Sequence, residues 1–406
     1  MSVLVRLRQF IATHAICTAF AGVLLVFLFR LLLAVAVVPP WQNPDEPQHF
    51  AFVRLLSRQA TLDLSSRRED AIEGEILQSM AEYGWWLHYN EPVPSPLPAT
   101  FFDVPAHLSV VTIFPPVYYV TAVYWLKAAG AVELLDQYYA LRWLSIALSL
   151  LTLCCIWAGA RALFGDRVAL GTAALVALHP QFALVSIAVN ADVLVNLLGA
   201  VVWWQAARLV TGRTAVVSVV AMIGATALAA FTKRSSAPLV GITGLVCAYA
   251  VGQLAVRRRQ RALTLAAAIG AAIVVVAAVA LLVPQEVERV ASYWSRLLRF
   301  SRLARGWDLR FLLRFATGLF DSAWLMAGWL RYPAPFAWLL SARLLVLVAV
   351  LGLLFTRWRE VEPGWVRGVQ LATAFATTYL GGIVVGLYLN AFGAQGRFLF
   401  PVIGPW

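Results

Sequence analysis

From about Ile16 to Val38 the chain runs through 23 residues with a single charge, Arg30. Similar runs recur along the 406 residues, and they decide what the chain can fold into. A helix needs about 20 apolar residues to cross a hydrocarbon core about 30 Å thick. The runs are continuous rather than alternating, which argues against a β-barrel and for helices that satisfy their own backbone. Composition agrees. The chain is 61% hydrophobic and 13% charged, with a mean hydropathy of +0.78, more apolar surface than a soluble core can absorb. The expected fold class is all-α: one polytopic transmembrane bundle of about nine to ten spans over residues 1–406. The net charge of +12 sits mostly in short arginine clusters between apolar runs. That is the pattern of cytoplasmic loops facing anionic lipid, and with no folded basic domain it speaks against a nucleic-acid partner. Cys17, Cys154, Cys155 and Cys247 all lie inside apolar runs without metal-ligand spacing, so they read as packing residues. The first run is too long for a signal-peptide core and lacks a small-residue cleavage site. It reads as a retained span.

Arg6 and Arg8 before that span place the N-terminus in the cytoplasm. The segment 39–108 then holds ten of the chain's 20 acids and reads as a large extracytoplasmic loop. Asp45 to Gln59 has the pattern of an amphipathic helix with Phe50, Val53 and Leu56 on one face. Pro92, Pro94, Pro96 and Pro98 force an extended stretch. Phe114-Pro115-Pro116-Val117-Tyr118-Tyr119 opens an apolar piece reaching about Ala129. A helix at the outer interface suits it better than a span, because a span here would put Arg161 and Arg167 outside. Later spans alternate: about 138–160 inward, 168–180 outward, then inward to Arg208 and Arg213. The next runs out to Thr232-Lys233-Arg234, and another returns to Arg257-Arg258-Arg259-Gln260-Arg261. Residues 262–283 go out, an eighth span comes in to Arg357 and Arg359, and 366–389 goes out to Gly393-Ala394-Gln395-Gly396-Arg397. A tenth span is expected from Phe398, with the sequence stopping inside it and the C-terminus truncated. The second extracytoplasmic loop, 284–333, carries Arg289, Arg296, Arg299, Arg302, Arg305, Arg310, Arg314 and Arg331. These suit an interfacial helix on anionic lipid, a phosphate-binding face, or a different local topology. Arg30 either snorkels to the surface or faces the protein interior.

With this topology the isolated polar groups converge on the outer ends of the spans: Asp45, Glu46, His49, His179, Asn190, Asp192, Lys233, Arg234 and Arg397. Each has a structural alternative. Asn43-Pro44-Asp45-Glu46 is also a helix start, with Asn43 as cap and Glu46 reaching back. His49, four residues after Asp45, can simply pair with it. His179-Pro180 can end a helix, and Asn190 and Asp192 can cap the next one. Lys233, Arg234 and Arg397 can snorkel or hold a phosphate. Together they suit glycosyl transfer from a lipid-phosphate sugar. A carboxylate at Asp45, with Glu46 beside it, removes the acceptor's proton, and cations stabilise the charge on the departing phosphate. No Gly-rich phosphate loop points to a nucleotide substrate.

The order of motifs resembles the GT-C superfamily of polytopic glycosyltransferases. More closely it resembles the bacterial DUF 2142 membrane-protein family. The shared residues are Pro44-Asp45-Glu46-Pro47-Gln48-His49-Phe50, Phe114-Pro115-Pro116-Val117-Tyr118-Tyr119, Val189-Asn190-Ala191-Asp192, Trp329-Leu330-Arg331-Tyr332-Pro333-Ala334-Pro335 and Gln395-Gly396-Arg397-Phe398-Leu399-Phe400-Pro401. The resemblance implies a polyprenyl-phosphate sugar donor and a glycan, lipid or protein acceptor of the cell envelope. It also implies a bacterial inner-membrane location, an extracytoplasmic site, inversion at the anomeric carbon, and Asp45 as base. His49, Tyr118, His179, Asn190, Asp192, Lys233, Arg234 and Arg397 are the substrate-binding candidates. Some relatives use a divalent metal such as Mg or Mn and others do not, so the metal stays open. A lipid-linked oligosaccharide flippase, or a polysaccharide ligase or polymerase, are the other functions considered.

Overall fold

The computed structural model describes residues 15–60, 63–64, 68–104, 108, 115–212, 215–257, 259–282, 287–288, 309–388 and 395–405. Within these the chain is almost wholly helical. Six helices are long and apolar enough to cross a membrane: Ala15–Val37 (α1), Leu134–Phe164 (α5), Asp192–Val210 (α8), Ala237–Arg257 (α10), Phe336–Phe355 (α13) and Pro363–Tyr388 (α14). A seventh crossing is broken. Asp166–Leu178 (α6) and Pro180–Ser186 (α7) meet at a 69° bend. Two further helices, Ala215–Ala230 (α9) and Arg259–Leu282 (α11), occupy the places expected for two further spans, with shorter apolar stretches at Val216–Ala230 and Ala262–Ala278. The tenth span does not form in the described residues. Gly396–Val402 winds instead into a buried 3₁₀ turn.

The apolar runs sort by how much of them the protein covers. On α1 only Phe20, Phe27 and Leu31 are buried, while Leu25, Phe29 and Leu33 stay open to the surroundings. That is the face a lipid-exposed helix presents. Helix α8 is the opposite case, buried along most of its length among α5, α9 and the 3₁₀ turn. Small residues permit these approaches, as in membrane bundles generally. A Cβ on Gly199 would lie 2.2 Å from the Pro401 carbonyl oxygen. Gly199→Ala is therefore expected to push away the turn that carries Arg397. The cost should be about 1–3 kcal/mol of the kind seen on overpacking, read as a lower unfolding temperature of the purified protein.

The first loop and the apolar piece after it pack as a small helical layer on one end of the bundle. Its helices are Glu46–Ser57 (α2), Asp70–Glu82 (α3) and Val117–Ala129 (α4). Phe50, Val53 and Leu56 are fully buried on α2, as the periodicity predicts. Pro47, Gln48, His49, Phe52 and Arg54 are buried too, so α2 is enclosed on nearly all sides rather than amphipathic at a surface. Helix α4 has 13 residues, too few for a crossing at about 1.5 Å per residue. It packs against α2 and α5. Arg142, inside α5 and 1% exposed, donates to the carbonyls of Val38 (2.8 Å) and Pro39 (3.1 Å). A cation there serves the orphan carbonyls and negative dipole end of α1.

In the second loop, Arg289, Arg296, Arg299, Arg302 and Arg305 lie outside the described residues, as do Arg6 and Arg8. Leu309–Trp324 (α12) is followed by a two-residue hairpin, β1 (Met326–Ala327) antiparallel to β2 (Tyr332–Pro333). Its turn passes through Gly328, Trp329 and Leu330, all at positive φ (52°, 57° and 63°). Left-handed backbone at two non-glycine residues costs energy and needs fixing by neighbours. The Trp329 indole supplies one such tie, donating 2.8 Å to the Trp41 carbonyl.

Candidate active site

Asp45 stands where the loop after α1 turns into α2, with φ of 70°. Everything around it is pinned. The Tyr138 hydroxyl lies 3.2 Å from the Trp41 amide, the Trp41 indole donates to Ser79 Oγ at 3.0 Å, and Gln42 donates to the Tyr83 carbonyl at 3.1 Å. Glu46 is fully buried. Its two oxygens accept from the Asn43 amide (3.2 Å), the Asn43 side chain (3.1 Å), the Tyr138 hydroxyl (2.8 Å) and the Val189 amide (3.1 Å), with Arg142 at 3.9 Å. Glu46 thus reaches back to Asn43 as a capping residue and ties α2 to α5 and to the 189 loop. Its bonding capacity is spent on structure.

Asp45 is different. Arg397, from the 3₁₀ turn, binds its Oδ2 at 2.5 Å and the Pro44 carbonyl at 3.4 Å. No partner for Oδ1 occurs among the described residues, and the side chain remains 39% exposed. Asp192, the first residue of α8, lies between two cations. Its Oδ1 is 2.7 Å from Lys233 Nζ, and its Oδ2 is 3.5 Å from Arg397 Nε. Asn190 completes the group. Its Oδ1 accepts from the Asp192 amide (2.9 Å) and from Lys233 (3.4 Å). The result is an alternating chain, Asp45–Arg397–Asp192–Lys233, drawn from four distant segments. Tyr379 of α14 steadies the Lys233 end by donating 2.7 Å to the Ser235 carbonyl.

Charge pairing sets the protonation states. Burial pushes the Asp45 carboxyl up, but Arg397 and then Lys233 more than reverse this and hold it below the ordinary carboxylate range. Burial pulls Lys233 down against the pull of Asp192. Arg397 is raised: burial lowers it, and Asp45 and Asp192 outweigh that. His49 is buried and pushed down to about 3 by burial and then by Lys233. It is a neutral imidazole, with Nδ1 at 2.7 Å from the Tyr119 hydroxyl and its ring stacked on Tyr119. Asp45 acts on the His49 ring through its charge, against the stronger effects of burial and Lys233. Tyr118 sits edge-on to His49, its buried hydroxyl without a hydrogen-bond partner among the described residues.

A cavity of about 220 Å³ adjoins the group, lined among others by Pro44, Asn190, Asp192 and Arg397; Asp45 and Lys233 stand behind these residues and are not part of its lining. Three expected residues fall elsewhere. His179 caps α7, its Nδ1 accepting from the Phe182 amide at 3.2 Å, with its ring stacked on Trp324. That is the helix-end use of His179-Pro180 rather than a ligand's. Arg234 is half-buried in the Arg234–Ser236 turn and does not line the cavity. Arg30 is half-buried and donates to the Ala177 carbonyl near the end of α6, the contact of a helix-end cap. The sequence reading passed over Arg142, Gln42 and His88. Arg142 had a signal, a lone cation inside an apolar span. Gln42 and His88, bonded to each other beside the cavity, had none beyond the aromatic run around His88.

Among the described residues no group of three or more His, Cys, Asp and Glu side chains could hold a metal ion. Asp45 and Asp192 are also already neutralised by cations. The donor set therefore does not fit a divalent metal.

Residues 120–282, about two-fifths of the chain, match the family of dolichyl-phosphate-mannose-protein mannosyltransferases. The match covers Asn190, Asp192 and Lys233, but not Asp45 or Arg397. No curated protein and no solved structure matches. The narrower resemblance to DUF 2142 is not reproduced. The match and the spanning helices together support a multi-pass membrane glycosyltransferase of the GT-C type with a polyprenyl-phosphate-linked donor.

Proposed function

We propose that this protein transfers a sugar from a polyprenyl-phosphate donor to an acceptor hydroxyl, with Asp45 as base. The site lies at the extracytoplasmic face of a bacterial inner membrane, and the acceptor belongs to the cell envelope. The orientation comes from the arginine distribution. The observation that carries the reading is the alternating chain itself: two carboxylates and two cations beside a cavity at one end of a membrane bundle, with one carboxylate oxygen uncommitted. Glu46, capped on both oxygens, keeps the loop in place rather than sharing the chemistry.

The acceptor hydroxyl donates to Asp45 Oδ1 and attacks the anomeric carbon. Its proton passes to Asp45 as the new C–O bond forms, and the bond to the phosphate oxygen breaks on the opposite face, inverting the carbon. The electron pair leaves on polyprenyl phosphate, where Arg397 and Lys233 stabilise the growing charge. Arg397 holds the Asp45 carboxyl below the ordinary range and so makes it a weaker base than a free carboxylate, and the proton moves late, once bond formation has made the hydroxyl acidic.

The test uses the purified protein in nanodiscs with labelled polyprenyl-phosphate sugars, nucleotide sugars and envelope acceptors. Release of polyprenyl phosphate with transfer of label is expected from the lipid donors alone. Movement of lipid-linked sugar across a liposome membrane without cleavage would replace this reading with a flippase. Because Arg397 holds the Asp45 carboxyl down, Arg397→Gln should move the acidic limb of kcat/KM to higher pH, alongside its loss of rate. A limb that stays put would separate Asp45 from the proton transfer.

A further inference from the structure

We infer that the open face of Asp45 carries an acceptor subsite, in which Arg331 holds an oxyanion of the acceptor beside its reacting hydroxyl. The inference rests on the transferase reading and names the acceptor's class: a hydroxyl compound with a phosphate or carboxylate close by. Asp45 does not line the cavity, yet its side chain is 39% exposed, so it is open on a second side. Tyr89 stands near that side. Burial raises the pKa of its hydroxyl, the Arg331 cation opposes the rise, and the Asp45 carboxylate adds to it. Both charges are thus felt at one phenol. The Arg331 guanidinium carbon lies over the Tyr89 ring, 4.5 Å from its centre.

The surroundings hold Arg331 in that place. The left-handed run through Gly328, Trp329 and Leu330 doubles the chain back, and the Arg331 amide bonds the carbonyls of Ala327 and Gly328, both at 3.1 Å. Trp85, fully buried, packs on Trp329 (5.5 Å between ring centres) and on Tyr89 (4.9 Å). One indole therefore ties the hairpin tip to the ring that carries Arg331. Backbone of this costly kind gathers at ligand clamps. A guanidinium laid over a ring spends its face and keeps its N–H edge, the fork that takes an oxyanion in two parallel bonds.

Charge and placement assign this fork to the acceptor. Arg397 and Lys233 are shared between Asp45, Asp192 and the departing phosphate. Arg331 is exposed, and no carboxylate among the described residues pairs with it. Leu330 and Tyr332, on either side of it, line the cavity, whereas Arg331 and Tyr89 do not. The hairpin thus turns two side chains to the cavity and Arg331 away from it. An exposed ion pair is ordinarily worth little, because two flexible side chains must be ordered to make it. Arg331 is already ordered by the Tyr89 ring, so an incoming anion meets a prepared partner.

The test is equilibrium binding to the intact protein in phosphatidylcholine nanodiscs, which needs no donor. The probes come in matched pairs: methyl glucuronide against methyl glucoside, and glycerol phosphate against glycerol. The anionic member of at least one pair should bind about tenfold tighter, the scale of a charge-assisted two-point contact. Preference for the glucuronide puts the anion on a glycan, and preference for glycerol phosphate puts it on a phosphorylated headgroup; either supports the subsite. Arg331→Gln should erase the preference by weakening the anionic probe alone. Arg331→Lys, which keeps the charge without the fork, should restore part of it. Equal affinities within both pairs in the wild type overturn the inference, a result that needs no variant to fold. A preference that survives Arg331→Gln also overturns it and hands the anion to Arg397 or Lys233. So does a loss of affinity for polyprenyl phosphate in place of the anionic probe, which would make Arg331 a donor contact. Selective binding with no transfer from any lipid donor leaves the subsite standing and sinks the transferase reading. Transfer to neutral acceptors with no preference for anionic ones does the reverse.

Discussion

Asp45→Asn is expected to lower turnover from a polyprenyl-phosphate sugar by about 10²–10⁴-fold, the range a positioned general base supplies. Asparagine is the informative replacement because of the backbone. Residue 45 sits at φ 70°, a conformation that asparagine tolerates and most other residues resist. The amide keeps the volume of the carboxylate and still offers Arg397 an acceptor oxygen. The change removes the charge and the basicity and leaves the shape. Donor binding should therefore survive, the loss should fall on kcat, and thermal unfolding should shift little. Unchanged turnover with Asn at this position would remove Asp45 from the chemistry. A collapse in donor binding at constant kcat would recast it as the group that aims Arg397 at the phosphate.

The residues that mark this site were legible because charge is scarce in the chain. An acid or a cation beside an apolar run has to be explained, and Asp45, Asp192, Lys233 and Arg397 stood out for that reason. They meet in the structure. His179 and Arg234 stood out equally, and the fold uses one as a helix cap and leaves the other off the cavity wall. A one-dimensional pattern places residues at the same end of a bundle but does not say which of them share a pocket. The bend between α6 and α7 was hidden for a related reason. Hydropathy sees one apolar run from 168 to 180, whereas the break depends on Pro180, on His179 accepting from Phe182, and on Arg30 reaching the Ala177 carbonyl from another helix. The expected tenth span failed because Phe398-Leu399-Phe400 is apolar for another purpose. It is buried against protein, and Gly199 leaves just enough room for the Pro401 backbone. Glu46 looked like a second catalytic carboxylate because it neighbours the first. Alternate bonding partners from α5 and residue 189 lie far off in sequence, and without them its role could not be read.

Those partners make Glu46→Ala the largest expected loss of stability. Removing the carboxylate strands the Tyr138 hydroxyl, the Asn43 amide and side chain and the Val189 amide. It also leaves the Arg142 guanidinium without its acid, 1% exposed inside a membrane helix. Breaking one side of a buried ion pair costs about 3–5 kcal/mol, and each buried polar group left unpaired adds about 1–3 kcal/mol. Losses of that size rival the whole stability of an ordinary domain, about 5–15 kcal/mol. The variant should reach the membrane in low yield and unfold at a markedly lower temperature. Arg142 has a second job at the carbonyls of Val38 and Pro39, so Arg142→Met should also destabilise. The double variant should lose less than the sum of the two, because it no longer buries an unmatched charge. Additive losses would mean that Glu46 and Arg142 act separately despite their 3.9 Å approach, with the hydrogen bonds of Glu46 carrying its whole effect.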